Sequence, residues 1–528
     1  MSKTFNELPT EELDALIIRV QEAIEYELAL SPADCQLLLD ALMTLANVQQ
    51  NINSKDITIL KLKKLIGMVQ SSEKLKNSMS GAQSRSKKEQ GNKSTKRKPS
   101  VDKVQPTLCH HKLDSLKKGM VCPECAAGKL AKYEPASFLR ITGQTPFVPE
   151  KHIMERLRCN TCGSYFTASV SDDVIQDGAS HQKYGYSARS LIVISKFYAG
   201  SPYYRQGSLQ HLLGMPISAS TCFDQAEHVA NSVKPVFDYL LKLSGNAVHY
   251  HLDDTTHRIL DQQPVMKKQR NSDKTKLRTG VYCSGVIARL TEHKKVVLFE
   301  TNVGHSGEFI DSILQHRDRT LAPPIIMSDA LASNRPSVGV PIIHSLCNSH
   351  SRRKFMDVIT HFPDEVNDTL EKYQQIWIHD GEGKAKNWSE QERLAFHAQH
   401  SLPVMDEIRA WGNRHLAEGS VEENSGLGEA IRYLDKHYDG LTRFCHVLGA
   451  QLDNNLMEAE LKLIVRDRKN AMFRKTLAGA SIGDVLTSLI ATAQQNDVNI
   501  FDYFNVLQQN QQDVAQHPEN YLPWNYKR

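Results

Sequence analysis

The sequence predicts a mixed α/β core that carries a helical insertion, with a helical module and a small metal-binding domain ahead of it. Three observations carry that prediction. From residue 246 the apolar period changes from helical to strand-like, giving three β-type runs in succession, then a helix, then two shorter strands. A long polar stretch of helical period divides the last strand from two closing helices. Upstream, two Cys-x-x-Cys pairs form a spaced set. Composition agrees: 528 residues, 40% hydrophobic and 23% charged, suit a globular chain of about three or four domains.

Residues 1–71 read as a helical or coiled-coil module. Leu13, Leu16, Ile17, Val20, Ala23 and Ile24 recur at helical spacing, and Ser31-Pro32 reads as an N-cap followed by proline at the first helical position. No basic recognition face is evident on these helices, which favours self-association over DNA docking. Residues 72–107 are polar and low in apolar side chains, the composition of a disordered linker. Residues 71–107 hold ten Lys/Arg and three acids, a net of +7, so the linker is also a basic arm able to attract phosphates without reading sequence.

Residues 108–175 hold Cys122-Pro-Glu-Cys125 and Cys159-Asn-Thr-Cys162-Gly163. Four thiolates from two such pairs are the donor set of a tetrahedral structural Zn²⁺, with no open position for catalysis. Cys109, His110 and His111 stand nearby as incidental ligand types. Ten cysteines are too few for a disulfide scaffold in a chain this long, and the opening residues lack a secretory pattern, so a reducing cytoplasm is expected. The longest purely apolar runs, such as Leu191–Ile194, are too short to cross a membrane.

Residues 181–240 return to helical period, with Ser218 and Ser220 as caps, and read as a candidate DNA-binding segment of helix–turn–helix type. The core follows over 246–510. Strands are predicted at Ala247–Asp253, Gly280–Leu290, Val296–Thr301, Ile325–Ser328 and Ile342–Cys347, with a helix at Ser306–His316 between the third and fourth. The helical insertion spans about 349–450, and closing helices run from about Asn454 to Phe473 and from about Ile482 to Asn496. Residues 511–528 read as a C-terminal tail.

Three dispersed carboxylates carry the chemistry. Asp253 ends the first strand, where alternation puts His249, His251 and Asp253 on one face and Tyr250, Leu252 and Asp254 on the other. Asp329 ends the fourth strand and Glu458 lies on the last-but-one helix. Acids from two strand ends and a crossing helix can converge on hard divalent cations such as Mg²⁺, which share their coordination between carboxylates and substrate phosphates. Each acid alone has a plainer reading, as a turn former or, for Glu458, as an i,i+4 partner of Lys462. Asn454, Asn455 and Glu458 share a helical face that Lys462, Arg466 and Lys469 continue, with Arg468 alongside; Arg352, Arg353 and Lys354 open another helix. These cations are candidate phosphate contacts. Cys347 and His350 sit at Cys-x-x-His spacing, half a metal site, and are assigned a supporting role with Asn454 and Asn455.

Taken in order, CPEC and CNTCG, SPYYRQ (201–206), LLGMPIS (212–218), LDDTTHRIL (252–260), MSDA (327–330), CNSHSRRKF (347–355), DNNLMEAELKLIVRDRKNAMF (453–473) and LPWN (522–525) resemble the transposases of the Insertion Sequence 66 family, bacterial DDE enzymes with an RNase H-like core. The resemblance implies Asp253, Asp329 and Glu458 as the catalytic triad holding two Mg²⁺ (or Mn²⁺) ions, and Cys122, Cys125, Cys159 and Cys162 as the Zn²⁺ ligands. Three positions depart from the family pattern: Asp254 replaces its usual Glu, Ala330-Leu331-Ala332-Ser333 replaces a Gly- and aromatic-rich segment, and Ala459 replaces a basic residue. The implied reaction is metal-dependent cleavage of double-stranded DNA at terminal inverted repeats and joining to target DNA. A homo-oligomer and accessory proteins of the same element are implied as partners, with no membrane. Two alternatives stand beside it: an RNase H-like nuclease without strand transfer, and a zinc-containing DNA-binding protein.

Overall fold

The computed structural model describes residues 16, 19–23, 29–38, 117–121, 123, 128–130, 145–158, 160, 165–179, 182–268 and 275–526. The chain divides into two units, residues 1–96 and 97–528. In the first, residues 32–38 are helical and the Ser31 hydroxyl accepts from the Asp34 amide at 3.1 Å, the N-cap expected ahead of Pro32. The basic linker, the remainder of the helical module, Cys109, His110, His111 and all four Cys-x-x-Cys cysteines lie outside the described residues. Around those cysteines Val121 bridges Lys129, and β1 (Arg156–Arg158) pairs antiparallel with β2 (Tyr165–Thr167).

The core sheet is built from β3 (His249–His257), β6 (Val281–Arg289), β7 (Lys295–Asn302), β8 (Ile325–Ser328) and β9 (Ile343–Leu346); β4 (Val265–Lys268) and β5 (Thr275–Arg278) form a separate hairpin between β3 and β6. The apolar period does not announce that hairpin because its residues are largely basic and polar. The five strands lie in the order β7-β6-β3-β8-β9, antiparallel across the first three and parallel from β3 to β9.

Helices cover both faces. They are α1 (Tyr186–Val193), α2 (Tyr203–Leu212), α3 (Ala219–Ser244), α4 (Ser306–Leu314), α5 (Asn348–Val358), α6 (Pro363–Ala385), α7 (Glu390–Phe396), α8 (Leu402–Ala417), α9 (Gly426–Leu441), α10 (Asn455–Ala471), α11 (Leu477–Gln495) and α12 (Ile500–Gln509). One face of the sheet (Tyr250, Leu252, Val286, Ala288, Leu298) shares a core with α3, α4, α11 and α12. The other (Cys283, Ile287, Val297, Phe299) packs on Met457, Leu461 and Ile464 of α10. Gly285 lets α10 approach: a Cβ there would stand 2.3 Å from the Met457 methyl. The insertion, α5 to α9, has its own core, joined to the sheet through Ile325 and Leu346.

The β7 edge is closed by a helix acting as a surrogate strand. Asp484, Ser488 and Thr492 of α11 accept from the amides of Thr301, Phe299 and Val297 at 2.7, 2.8 and 3.0 Å, and Asn496 donates to the Lys295 carbonyl at 2.7 Å. Four helical residues rise about 6 Å and two strand residues about 6.7 Å, so side chains four apart meet amides two apart.

Residues 182–240 do not stand apart from the core. The turn between α2 and α3 exists, with Gly214 at φ +82° and Ser218 capping α3, but α3 buries Ala226, Val229, Val233, Val236 and Leu240 in the main core. Its exposed first turns carry Asp224 and Glu227, charges that repel phosphate. Residues 511–528 are likewise no loose tail over their described part: Leu522 is buried in the same core, Tyr521, Trp524 and Tyr526 pack against it, and the Tyr503 hydroxyl donates to the Tyr521 carbonyl at 2.6 Å.

Candidate active site

Strand register sets the positions of the acids. β3 pairs with β8 through His251 and Met327, and β8 pairs with β9 through Ser328 and Leu346. Asp253 and Asp329 each lie two residues beyond the His251–Met327 pair, and Cys347 follows Leu346. Asp253 does not end its strand as expected: β3 runs on to His257, paired with β6, and Asp253 lies just past the parallel pairing with β8, in one row with Asp329 and Cys347, which follow the carboxyl ends of β8 and β9, the end where open α/β sheets bind ligands. Asp253 stands opposite Gly285, on the sheet face that α10 covers. Glu458 sits in the first turn of α10.

Asn454, just before α10, locks this helix to the sheet. It is fully buried; its side chain donates to the Leu252 carbonyl at 2.8 Å and meets His251 Nδ1 at 3.1 Å, and its amide donates to Cys347 Sγ at 3.2 Å. Asn455 departs from its expected role: it is exposed and turned to Asp453 and Ser349.

Asp253 and Asp329 are held by hydrogen bonds but not neutralised. The Asp254 amide donates to Asp253 at 2.8 Å, and the Leu331 amide donates to Asp329 at 3.1 Å. Asn334, itself buried, donates its side-chain amide to Asp329 and accepts from the Ser306 hydroxyl at 2.8 Å. Asp254, on the opposite face of β3, binds His305 at 2.9 Å. Among the described residues no ion pair reaches Asp253 or Asp329; Arg353 and the imidazole of His350 each stand 3.9 Å from Glu458. Burial pushes the Asp253 carboxyl up to about 7, offset in part by the Asp254 amide and reinforced by the charges of Asp329 and Glu458. Two carboxylates that no ion pair reaches, with a third that meets Arg353 only at 3.9 Å, are a donor set a hard divalent ion can fit.

The candidate phosphate contacts divide. Lys462 and Lys469 are exposed along the face that continues from Glu458, and Arg353 and Lys354 are exposed on α5. Lys354 lies over the Tyr433 ring at 4.8 Å, and Arg352 is half-buried. Arg466 and Arg468 are engaged within the fold. Arg466 donates to the Tyr198 carbonyl; Arg468 binds the Thr255 and Thr256 hydroxyls at 3.0 and 2.9 Å. Asn334 and His305 escape sequence reading because nothing in their spacing ties them to the acids they hold.

The fold and site define a class: an α/β protein with acids gathered toward one end of its sheet and basic side chains on the helices beside them. The particular family follows from comparison. The model of the family described as Transposase IS66 family matches residues 181–482, and the chain belongs to that family. Among its relatives in Sinorhizobium fredii (strain NBRC 101917 / NGR234), the uncharacterized protein y4hP is 25% identical over 364 residues, covering 64% of this chain and 62% of its own length. The uncharacterized protein y4jD is 24% identical over 402 residues, 72% of each chain. The chain thus aligns with less than two thirds of the first relative. No helix among the described residues is long and apolar enough to cross a membrane.

Proposed function

We propose that this chain is a DDE transposase, cleaving DNA at the ends of an insertion sequence and joining those ends to a target. The observation that supports the reading is that Asp253 on β3, Asp329 after β8 and Glu458 on α10 lie near enough for the charges of the last two to act on the first, with no ion pair reaching Asp253 or Asp329 among the described residues. The sheet order, antiparallel then parallel around a central β3, supports an RNase H-like core. Asp253, Asp329 and Glu458 would hold Mg²⁺ or Mn²⁺, which supplies activation of the attacking oxygen and stabilisation of the leaving one. The chain's own residues do the rest. The Asp254 amide and Asn334 fix carboxylate orientation, Asn454 holds α10 against β3, and Lys462, Lys469, Arg353 and Lys354 offer charge to the DNA backbone.

The cysteine pairs belong to the same proposal. Paired backbone brackets each of them, Val121 with Lys129 and β1 with β2, an arrangement that suits turns presenting thiolates to a structural Zn²⁺. The zinc domain and basic arm would hold the terminal repeats, and a homo-oligomer would bring two ends together in the bacterial cytoplasm, with accessory proteins of the element where required.

The test is Mg²⁺-dependent cleavage and joining of DNA carrying the element's ends, comparing wild type with Asp253→Asn and Glu458→Gln. Neutral isosteres remove charge at nearly constant shape. Both variants should bind DNA while cleavage falls by about a thousandfold or more. Equal cutting by all three proteins would reject the site. Cutting without joining would make the protein a nuclease, and binding with no cutting by any of them, even with the neighbouring gene products added, would make it a DNA-binding protein.

A further inference from the structure

Beside the three acids lies a tighter group of different chemistry. Among the described residues, Cys347, His350 and Glu458 are the one set of three metal-ligating side chains whose donor atoms all lie within 4.8 Å of one another. Two of those atoms, His350 Nδ1 and Glu458 Oε1, are buried, have no hydrogen-bond partner and face each other at 3.9 Å. Asn454 and Ser349 beside them are already engaged: Asn454 uses both side-chain atoms and its amide, and Ser349 meets Asn455. A buried nitrogen and a buried oxygen left facing each other without a bond need something between them.

The local fold explains why the group is preassembled. Cys347 precedes the first residue of α5 and His350 is the third residue of that helix, so one turn brings both to the same side. Asn454 pins α10 to Cys347 and to β3, which carries Glu458 to the same place. The Asn454 amide directed at Cys347 Sγ is the kind of outer contact that holds a ligating sulfur in position. Two ligands of one tetrahedral zinc ion stand roughly 3.3–3.6 Å apart, so the set needs only a small contraction to close on an ion.

We propose that Cys347, His350 and Glu458 form a binding site for a borderline divalent cation of the Zn²⁺ class, distinct in chemistry from the all-carboxylate set. Sulfur and imidazole donors favour Zn²⁺ over Mg²⁺. The two sites share Glu458, so an ion held here withdraws that carboxylate from Asp253 and Asp329 and is inhibitory toward chemistry that depends on all three. The site stands on its own geometry and does not rest on the transposase reading.

The test is zinc content and cobalt spectroscopy of the full-length protein. After equilibration with excess Zn²⁺ and removal of free metal, wild type should retain one more zinc per chain than Cys347→Ser and than His350→Gln. With Co²⁺ as the probe, the wild-type-minus-C347S difference should contain a thiolate-to-cobalt charge-transfer band equivalent to one site. Glu458→Gln, a change at a partly exposed position, should weaken retention at least tenfold and keeps the test alive should a Cys347 variant fail to fold. Asp253→Asn should leave the zinc count unchanged. Equal zinc content and identical cobalt spectra in wild type, C347S, H350Q and E458Q would overturn the proposal and leave a bridging water as the occupant. Retained cleavage by D253N would instead overturn the catalytic reading without touching the zinc count.

Discussion

Helix α10 carries an acid toward each end, Asp467 buried and Glu458 partly exposed, and the two are treated in opposite ways. Toward the carboxyl end Asp467 is almost fully buried between Lys196 at 3.1 Å and Arg474 at 2.5 Å. Burial alone would raise its carboxyl, but the Arg474 and Lys196 charges outweigh that and hold it below the usual carboxylate range. At the amino end Glu458 joins Asp253 and Asp329, and there burial and like charge act together to raise Asp253. The difference teaches how to tell two kinds of acid apart on one element. An acid whose charge the protein has already answered holds the fold together, here tying α10 to the turn after α1. Asp253 and Asp329, which no ion pair reaches among the described residues, are the acids that the proposed function gives to a cation from outside.

The comparison breaks most readily on stability. Asp467→Asn should cost about 3–5 kcal/mol, because Lys196 and Arg474 are left buried without their counter-charge. Asp253→Asn should change stability by less than about 1 kcal/mol, with a gain more natural than a loss, since it removes a repelled and half-buried charge. Denaturant melts of the two variants check this, and equal losses would erase the distinction.

Asp484 is an intermediate case, a fully buried acid answered by hydrogen bonds from Thr301. Burial pushes it up to about 6 against those bonds. With the folded value above the ordinary one, the folded chain keeps this proton longer. The associated stability is complete below about pH 4 and is lost as pH rises through about 6. Asp484→Asn should therefore gain on wild type by about 1–3 kcal/mol between pH 4 and pH 7. A pH-independent difference in melts would mean that the Thr301 bonds fully offset burial.

The smallest effect sharpens the acidic end itself. Mg²⁺ at ten times its dissociation constant should raise wild-type stability by about 1.4 kcal/mol. The same addition should leave Asp253→Asn nearly unmoved and stabilise Asp467→Asn as much as wild type. Thermal shift with and without Mg²⁺ reads all three.

Much of this organisation is legible in the chain. The period-two run through His249–Asp253 gives the two faces of β3, and the structure has His251 meeting Asn454 on one and the Tyr250 hydroxyl donating to the Ser244 carbonyl on the other. The strands and closing helices fall within a few residues of their expected bounds, because apolar period is a local property. Position in the sheet is not local. The +7 arm looks like the main route to DNA in sequence, whereas the separation of Lys462 and Lys469 from Arg466 and Arg468 depends on Tyr198, Thr255 and Thr256, residues that reach α10 only after folding. For the same reason the sequence does not show that α3, beyond the turn at Gly214, buries its apolar face in the main core.

By itself the sequence determined the element types, the faces of β3, the insertion before α10 and the acids able to bind a metal, since each depends on residue chemistry and short-range spacing. Only the tertiary structure decided which acids stand in one row, which are already neutralised and which cations are already engaged. Those outcomes depend on register between strands far apart in sequence and on charges brought together across gaps such as the 271 residues separating Lys196 from Asp467. No local pattern encodes that proximity, and electrostatic energy depends on it directly.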